Sequence, residues 1–175
     1  MLARMAEEWF DVVNEQDEVI GRAPRREVHA RRWRHRAVHL LVFNRRGEIF
    51  LQKRSHRKDN HPGVWDSSAS GHLDSGEDYD QAAIREAAEE IGLLMTQPPQ
   101  RLFKIAACEA TGMEFVWVYR CEAEGPFQLN PEEIDTGRWF EPAAVDRWLA
   151  EAPQDFAPAF PVIWGQWRQK NPPTS

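Results

Sequence analysis

Cysteine is scarce in this sequence, with only Cys108 and Cys121 among 175 residues. So few thiols exclude a disulfide framework and make the cytoplasm the expected compartment. No run approaches the roughly 20 apolar residues of a membrane span. Met1 to Trp9 carries acids where a secretory leader would carry an apolar stretch, which argues against export. Internal repeats and low-complexity blocks are also absent. Against these absences stand 42% hydrophobic and 29% charged residues, enough for a core and too apolar for wholesale disorder. The length predicts one domain over residues 1–175. A loose tail is expected at about 171–175, where Pro172 and Pro173 block regular structure.

The net charge of −6 is unevenly distributed. Residues 1–60 hold 14 Lys and Arg against 9 Asp and Glu, a balance of +5, and residues 61–175 balance at −11. Such asymmetry fits an anionic ligand at one place and a cation at another.

Turn residues and hydrophobic periodicity divide the chain. An N-terminal hairpin is expected at about 8–23, turning at Asn14–Glu18. Val38–Phe43 is nearly all apolar and reads as a strand buried on both faces, with Ile49–Lys53 as its hairpin partner. Residues 63–71 read as loop with short extended pieces. Residues 78–91 form the clearest helix, beginning in acids and stopping at Gly92. Residues 101–108 and 113–121 read as an antiparallel pair around Thr111-Gly112, and 137–140 as a short strand. Helices are expected at 142–150 and 162–170. This mixture, without regular strand–helix alternation, is α+β.

The helix at 78–91 carries the chemistry. At about 100° per residue, Glu86, Glu89 and Glu90 fall on one face, and Ile84, Ala87, Ala88 and Ile91 on the other. Like charges so close repel, and a bound divalent cation would remove the repulsion. Hard carboxylate oxygens suit Mg²⁺ or Mn²⁺. A solvated acidic face is the alternative for any Glu-rich helix, but the loop before this one adds a pattern. Gly71 is followed after five residues by Glu77, then after seven by Arg85-Glu86, and then by Glu89-Glu90, Gly92 and Leu93.

That spacing, over residues 71–93, resembles the box of the Nudix superfamily at every fixed position, with Ala87 small for its slot. The resemblance implies a Nudix fold, an α/β/α sandwich around a mixed sheet. It also implies hydrolysis of a pyrophosphate bond in a nucleoside diphosphate derivative or related organic diphosphate. In that family, the positions of Glu86, Glu89 and Glu90 serve Mg²⁺ or Mn²⁺, often with the backbone carbonyl of Gly71. Glu77 and Arg85 pair to hold the loop on the helix, and Gly71 and Gly92 are structural. A carboxylate takes the proton of the attacking water; Glu86, Glu90 and Glu114, on the later strand, are the candidates.

Beyond the box, residues 10–15, 27–39 and 62–66 resemble the branch that contains isopentenyl-diphosphate isomerase and its hydrolase relatives. That resemblance implies a second metal site at His29, His35 and His72; histidines that hydrogen-bond within the site are the alternative. Arg54 and Lys58 match positions that grip diphosphate, a task suited to cationic side chains. The isomerase needs a thiol where this chain has Ser70, which favours a hydrolase; an isomerase or a ligand-sensing module are the alternatives. His39, on the buried strand, reads as structural.

Seven arginines between Arg22 and Arg36 form a basic segment. The acidic total and the lack of an RNA-binding aromatic signature argue against nucleic acid. Trp139, Trp148, Trp164 and Trp167 are expected in the core. Trp33, Trp65 and Trp117 read as core residues close enough to the site to stack on a base. The expected partner is a small diphosphate, with no membrane association, acting on a monomer or a homodimer paired through the N-terminal hairpin.

Overall fold

The computed structural model describes residues 6–174. The chain opens with the hairpin β1 (Trp9–Val13) and β2 (Val19–Pro24), followed by a short helix α1 (Arg25–Ala30). Then come β3 (His35–Phe43), β4 (Ile49–Arg54), β5 (Trp65–Asp66), β6 (Ala69–His72) and the long helix α2 (Tyr79–Ile91). The remainder is β7 (Gln100–Ile105), β8 (Glu114–Glu122), β9 (Ile134–Phe140), α3 (Pro142–Glu151) and α4 (Ala159–Lys170).

The main sheet runs β5-β4-β3-β8-β7, with β6 also paired to β3 and β9 to β4. β3 and β8 are parallel and the other pairs antiparallel, so the sheet is mixed. β3 is buried on both faces, as its composition predicts. Val38, Leu40 and Val42 pack towards Ala82, Ala83, Ala87 and Ile91 of α2. Ala37, Leu41 and Phe43 pack on the other side with Val145 of α3 and Phe160, Ile163 and Trp164 of α4. Helices therefore cover both faces, which is the expected α/β/α sandwich. Among the described residues no helix is long and apolar enough to cross a membrane.

Local chemistry sets the ends of α2. Asp78 accepts from the Gln81 N–H while the Gln81 side chain accepts from the Asp78 N–H, a reciprocal N-terminal cap. Gly92 ends the helix at φ 68°, a left-handed conformation that glycine adopts without a Cβ clash.

Several boundaries differ from expectation. β3 begins three residues early, at His35, because its first residues pair in parallel with β8, a partner invisible in local periodicity. β9 begins at Ile134 because it pairs along the whole of β4. β7 stops at Ile105, short of 108, where the chain turns through 106–113. α4 starts at Ala159, its first turn containing Pro161, which a helix tolerates there. α1 was not foreseen, since six residues leave too short a pattern.

The hairpin is fastened to the body through Asp17. Arg36 donates from Nε to Asp17 Oδ1 at 2.6 Å, and the Tyr79 hydroxyl donates to Oδ2 at 2.7 Å. Lys104 pairs with the same carboxylate. Burial would raise this carboxyl, but Arg36, Lys104 and Tyr79 hold it below the usual range. The clamp holds β1 against β3 and so places Phe10 at the site.

Candidate functional site

A cavity of about 440 Å³ opens where β3, β6, α1 and α2 meet. Two groups of ligating side chains line it: Glu86, Glu89 and Glu90 from α2, and His29, His72 and Glu114 from three other elements.

The first group corrects the helical-wheel expectation. The buried stripe of α2 runs through Tyr79, Ala82, Ala83, Glu86, Ala87, Glu90 and Ile91. Glu86 and Glu90 thus lie inside the stripe rather than opposite it, and Glu89 is exposed. The reason lies on β6. A Cβ at Gly71 would sit 2.0 Å from Glu86 Oε1, so only glycine admits this carboxylate. The next amide up the strand, Ser70 N, donates to Glu90 Oε1 at 2.7 Å, and Gln52 Nε2 donates to the same oxygen at 3.1 Å.

Arg85 organises the loop. It grips Glu77 with two bonds of 2.8 Å, reaches the His72 carbonyl at 2.9 Å, and contacts Glu86 Oε1 at 2.8 Å and Glu89 Oε2 at 3.1 Å. Hydrogen bonding to Glu77 holds the guanidinium pKa above its ordinary value. One cation does not neutralise three carboxylates. Burial, and then the charge of Glu90, pushes Glu86 well above the usual carboxylate range. Burial pushes Glu90 up to about 7, opposed by Lys58. Hard oxygen donors, crowded and under-neutralised, fit a divalent cation of the Mg²⁺ or Mn²⁺ kind.

In the second group, ligand atoms of His29, His35, His72 and Glu114 all lie within 4.8 Å of one another. Four elements or their flanks contribute: α1, β3, β6 and β8. His35 Nδ1 donates to the Trp33 carbonyl at 2.8 Å, which leaves Nε2 as the lone-pair nitrogen. Nε2 is buried without a hydrogen-bond partner and lies 3.5 Å from Glu114 Oε1. With Nδ1 committed to a carbonyl, Nε2 is the ring nitrogen left to bind a cation beside this carboxylate. His72 Nε2 donates to Glu114 Oε1 at 2.8 Å. Burial alone would raise Glu114, but His72 and His35 hold it well below the usual range. Burial, then the charges of His72 and His35, lowers His29 to about 4. Burial likewise lowers His72, against the pull of Glu114. Imidazoles gathered beside a carboxylate form a donor set for Mn²⁺ or Zn²⁺.

Phe10, which sequence reasoning missed, underlies this group. Its ring stacks on His35 at 5.6 Å and lies 4.7 Å from His72. Its place in the 10–15 stretch that carries the branch resemblance was the available signal.

Arg54 and Lys58 both line the cavity, though neither is free. Arg54 donates to the carbonyls of Asn60 and His61 at 2.8 and 3.1 Å, bracing the loop that follows β4. Lys58 pairs with Glu133. His39, expected to be purely structural, also lines the cavity, beside Asp66. Trp33, Trp65 and Trp117 do not line it. Trp65 and Trp117 pack against the two main cores, and Trp33, in the connection between α1 and β3, against the small cluster under the hairpin. Trp164 and Trp167 are buried in the core, with Trp139 and Trp148 packed at its margins.

Comparison with known proteins bears on the family and the fold. The family model for the NUDIX domain matches residues 33–161. An uncharacterized Nudix hydrolase of Yersinia pestis is 39% identical over 141 residues, covering 79% of this chain and 75% of its own length. The Nudix hydrolase YfcD of Escherichia coli is 32% identical over 167 residues, covering 94% and 90%. A crystal structure from Deinococcus radiodurans superposes with a TM-score of 0.75 at 32% identity, covering 82% of this chain and 90% of that one.

Proposed function

Because the chain belongs to the Nudix family, whose hydrolases act on phosphorus-containing anhydrides, we propose that it cleaves the pyrophosphate bond of a nucleoside diphosphate derivative or related organic diphosphate in the cytoplasm. One observation carries this reading: Glu86 and Glu90 are buried against Gly71 and Ser70 in a cavity that Arg54 and Lys58 share.

Glu86, Glu89, Glu90 and the Gly71 carbonyl would hold Mg²⁺ or Mn²⁺, which when bound would neutralise the phosphates and acidify the attacking water. The chain's own residues do the rest. Arg54 and Lys58 add positive charge where the diphosphate enters, which lowers its electrostatic cost beside three carboxylates. Arg85 fixes the carboxylates, so little reorganisation accompanies reaction. Glu86 or Glu90 accepts the water's proton. Glu114, engaged by His72 and facing His35, fits better as a partner of the imidazoles in a second metal site with His29, His35 and His72.

That imidazole–carboxylate group favours a second reading, the isomerase-like branch. Against isomerisation stands Ser70, whose hydroxyl is a far weaker acid than a thiol.

The test is a phosphate-release screen over diphosphate compounds, with Mg²⁺ and with Mn²⁺, beside Glu90→Gln. Isopentenyl diphosphate is included with product analysis. Metal-dependent cleavage, lost in the variant, is expected. Formation of the allylic isomer without phosphate release would replace the hydrolase reading with the isomerase.

A further inference from the structure

Gln52 is fully buried on β4, in a strand that is otherwise apolar up to that point. Side chains alternate along a strand. Phe50 packs in the core under α2 and Leu51 in the core on the opposite face, so Gln52 points to the α2 side. An apolar side chain would be buried there at less cost than an amide. What the amide gains is a bond to Glu90.

The two oxygens of Glu90 have different surroundings. Oε1 accepts from the Ser70 amide at 2.7 Å and from Gln52 Nε2 at 3.1 Å. Oε2 takes no hydrogen bond among the described residues and is not one of the buried atoms left without a partner. It is therefore the oxygen open to the cavity that Glu90 lines. A single bond from Ser70 would leave the carboxyl free to swing about that contact. A second donor, arriving from another strand, removes that freedom.

The other half of the amide shows what sets its orientation. Gln52 Oε1 is buried without a hydrogen-bond partner. Turning the amide over would put that oxygen against Glu90 Oε1, which already accepts from Ser70, and two acceptors would face each other. The orphan oxygen is thus the cost of keeping Nε2 on Glu90. Glu86 is held in a similar way, with its Oε1 taken by Arg85 Nη1 at 2.8 Å.

We infer that Gln52 is a positioning residue that acts through Glu90, holding Oε1 so that Oε2 alone is presented to a divalent cation. The inference rests on the reading of the α2 glutamates as cation ligands.

The test uses the full chain and Mn²⁺ alone, with binding followed by calorimetry and by the electron paramagnetic resonance of the bound ion. Wild type, Gln52→Met, Glu90→Gln and the double variant form a cycle. Methionine is unbranched like glutamine and lacks the amide. Gln52→Met is expected to weaken the α2 class of site about tenfold, as loss of a group that orients a metal ligand does. In the Glu90→Gln background the same change should alter affinity by less than about twofold. In the phosphate-release assay kcat should fall about tenfold with KM unchanged, and the same cycle is read in kcat. Wild-type affinity in Gln52→Met, beside a weakened Glu90→Gln, would overturn the inference and leave the glutamate reading standing. Equal effects of Gln52→Met in both backgrounds would overturn it too, because the amide would then act independently of Glu90. A Glu90→Gln protein that binds Mn²⁺ as wild type does would instead overturn the glutamate reading, and this inference with it. If Gln52→Met does not fold, Gln52→Asn, which withdraws the amide by one methylene, takes its place in the cycle. Failure of both to fold would make Gln52 a residue of the core and overturn the inference.

Discussion

Glu86 and Glu90 on α2 and Glu114 on β8 line one cavity, and their surroundings push them in opposite directions. On α2 burial raises both Glu86 and Glu90 above the ordinary range, with the charge of Glu90 adding to the first and that of Glu133 to the second. Around Glu114 the neighbours are imidazoles, so the same burial is outweighed and the carboxyl is lowered. The first set has an excess of negative charge that a hard cation relieves. The second gathers imidazole nitrogens around one carboxylate, a softer donor set. The two sets differ equally in origin. One is a stretch of 23 residues whose spacing does most of the work, and the other is collected from four separate parts of the chain.

The largest expected effect breaks the first set. Glu86→Gln and Glu90→Gln should each lower phosphate release by about 10²–10³-fold, as loss of a charge-stabilising group typically does. Tm in metal-free buffer should not fall, because each change removes a buried negative charge and keeps an amide oxygen for the local bonds. A large fall in Tm would recast these residues as structural.

Gly71→Ala tests the fit between β6 and α2. The added Cβ would meet Glu86 Oε1 at 2.0 Å, so the carboxylate must move. Displacing a reacting group by about 1 Å costs on the order of 10²-fold in rate. Overpacking should also cost about 1–3 kcal/mol in a denaturant titration. Wild-type activity in this variant would show that Glu86 has room elsewhere.

The second set is broken more gently by His35→Asn, whose amide can replace Nδ1 at the Trp33 carbonyl but removes Nε2. Mn²⁺ binding followed by calorimetry should lose one class of site and keep the one on α2. Unchanged stoichiometry would leave His35 a hydrogen-bonding residue only.

The smallest effects, a few degrees in Tm, sharpen the comparison through pH in the presence of a chelator. Glu90 is raised on folding, so its contribution to stability is present below the unfolded carboxyl value and is lost as pH rises through about 7. Glu90→Gln should flatten that upper decline. His29 is lowered on folding, so its contribution is present above the unfolded imidazole value and is lost as pH falls towards about 4. His29→Gln should flatten that lower decline and leave the upper one. If each variant flattened the opposite arm, the electrostatic contrast would be wrong.

The sequence by itself determined the carboxylate helix, its caps and the strand buried on both faces. Each of these depends on residues within a few turns of one another, where spacing translates directly into geometry. Periodicity located α2, but it put Glu86 and Glu90 opposite the buried side, because a wheel contains no partner strand. Only the tertiary structure brought Gly71 and Ser70 against that helix and turned two glutamates into buried ones. The histidines could be named from the resemblance, whereas their meeting with Glu114 depended on the parallel pairing of β3 and β8, which no local pattern encodes. The place of His39 at the same cavity was likewise decided by register with β6. Long-range pairing fixes which side chains share a face, and that information lies in the packing of the whole chain rather than in any stretch of it.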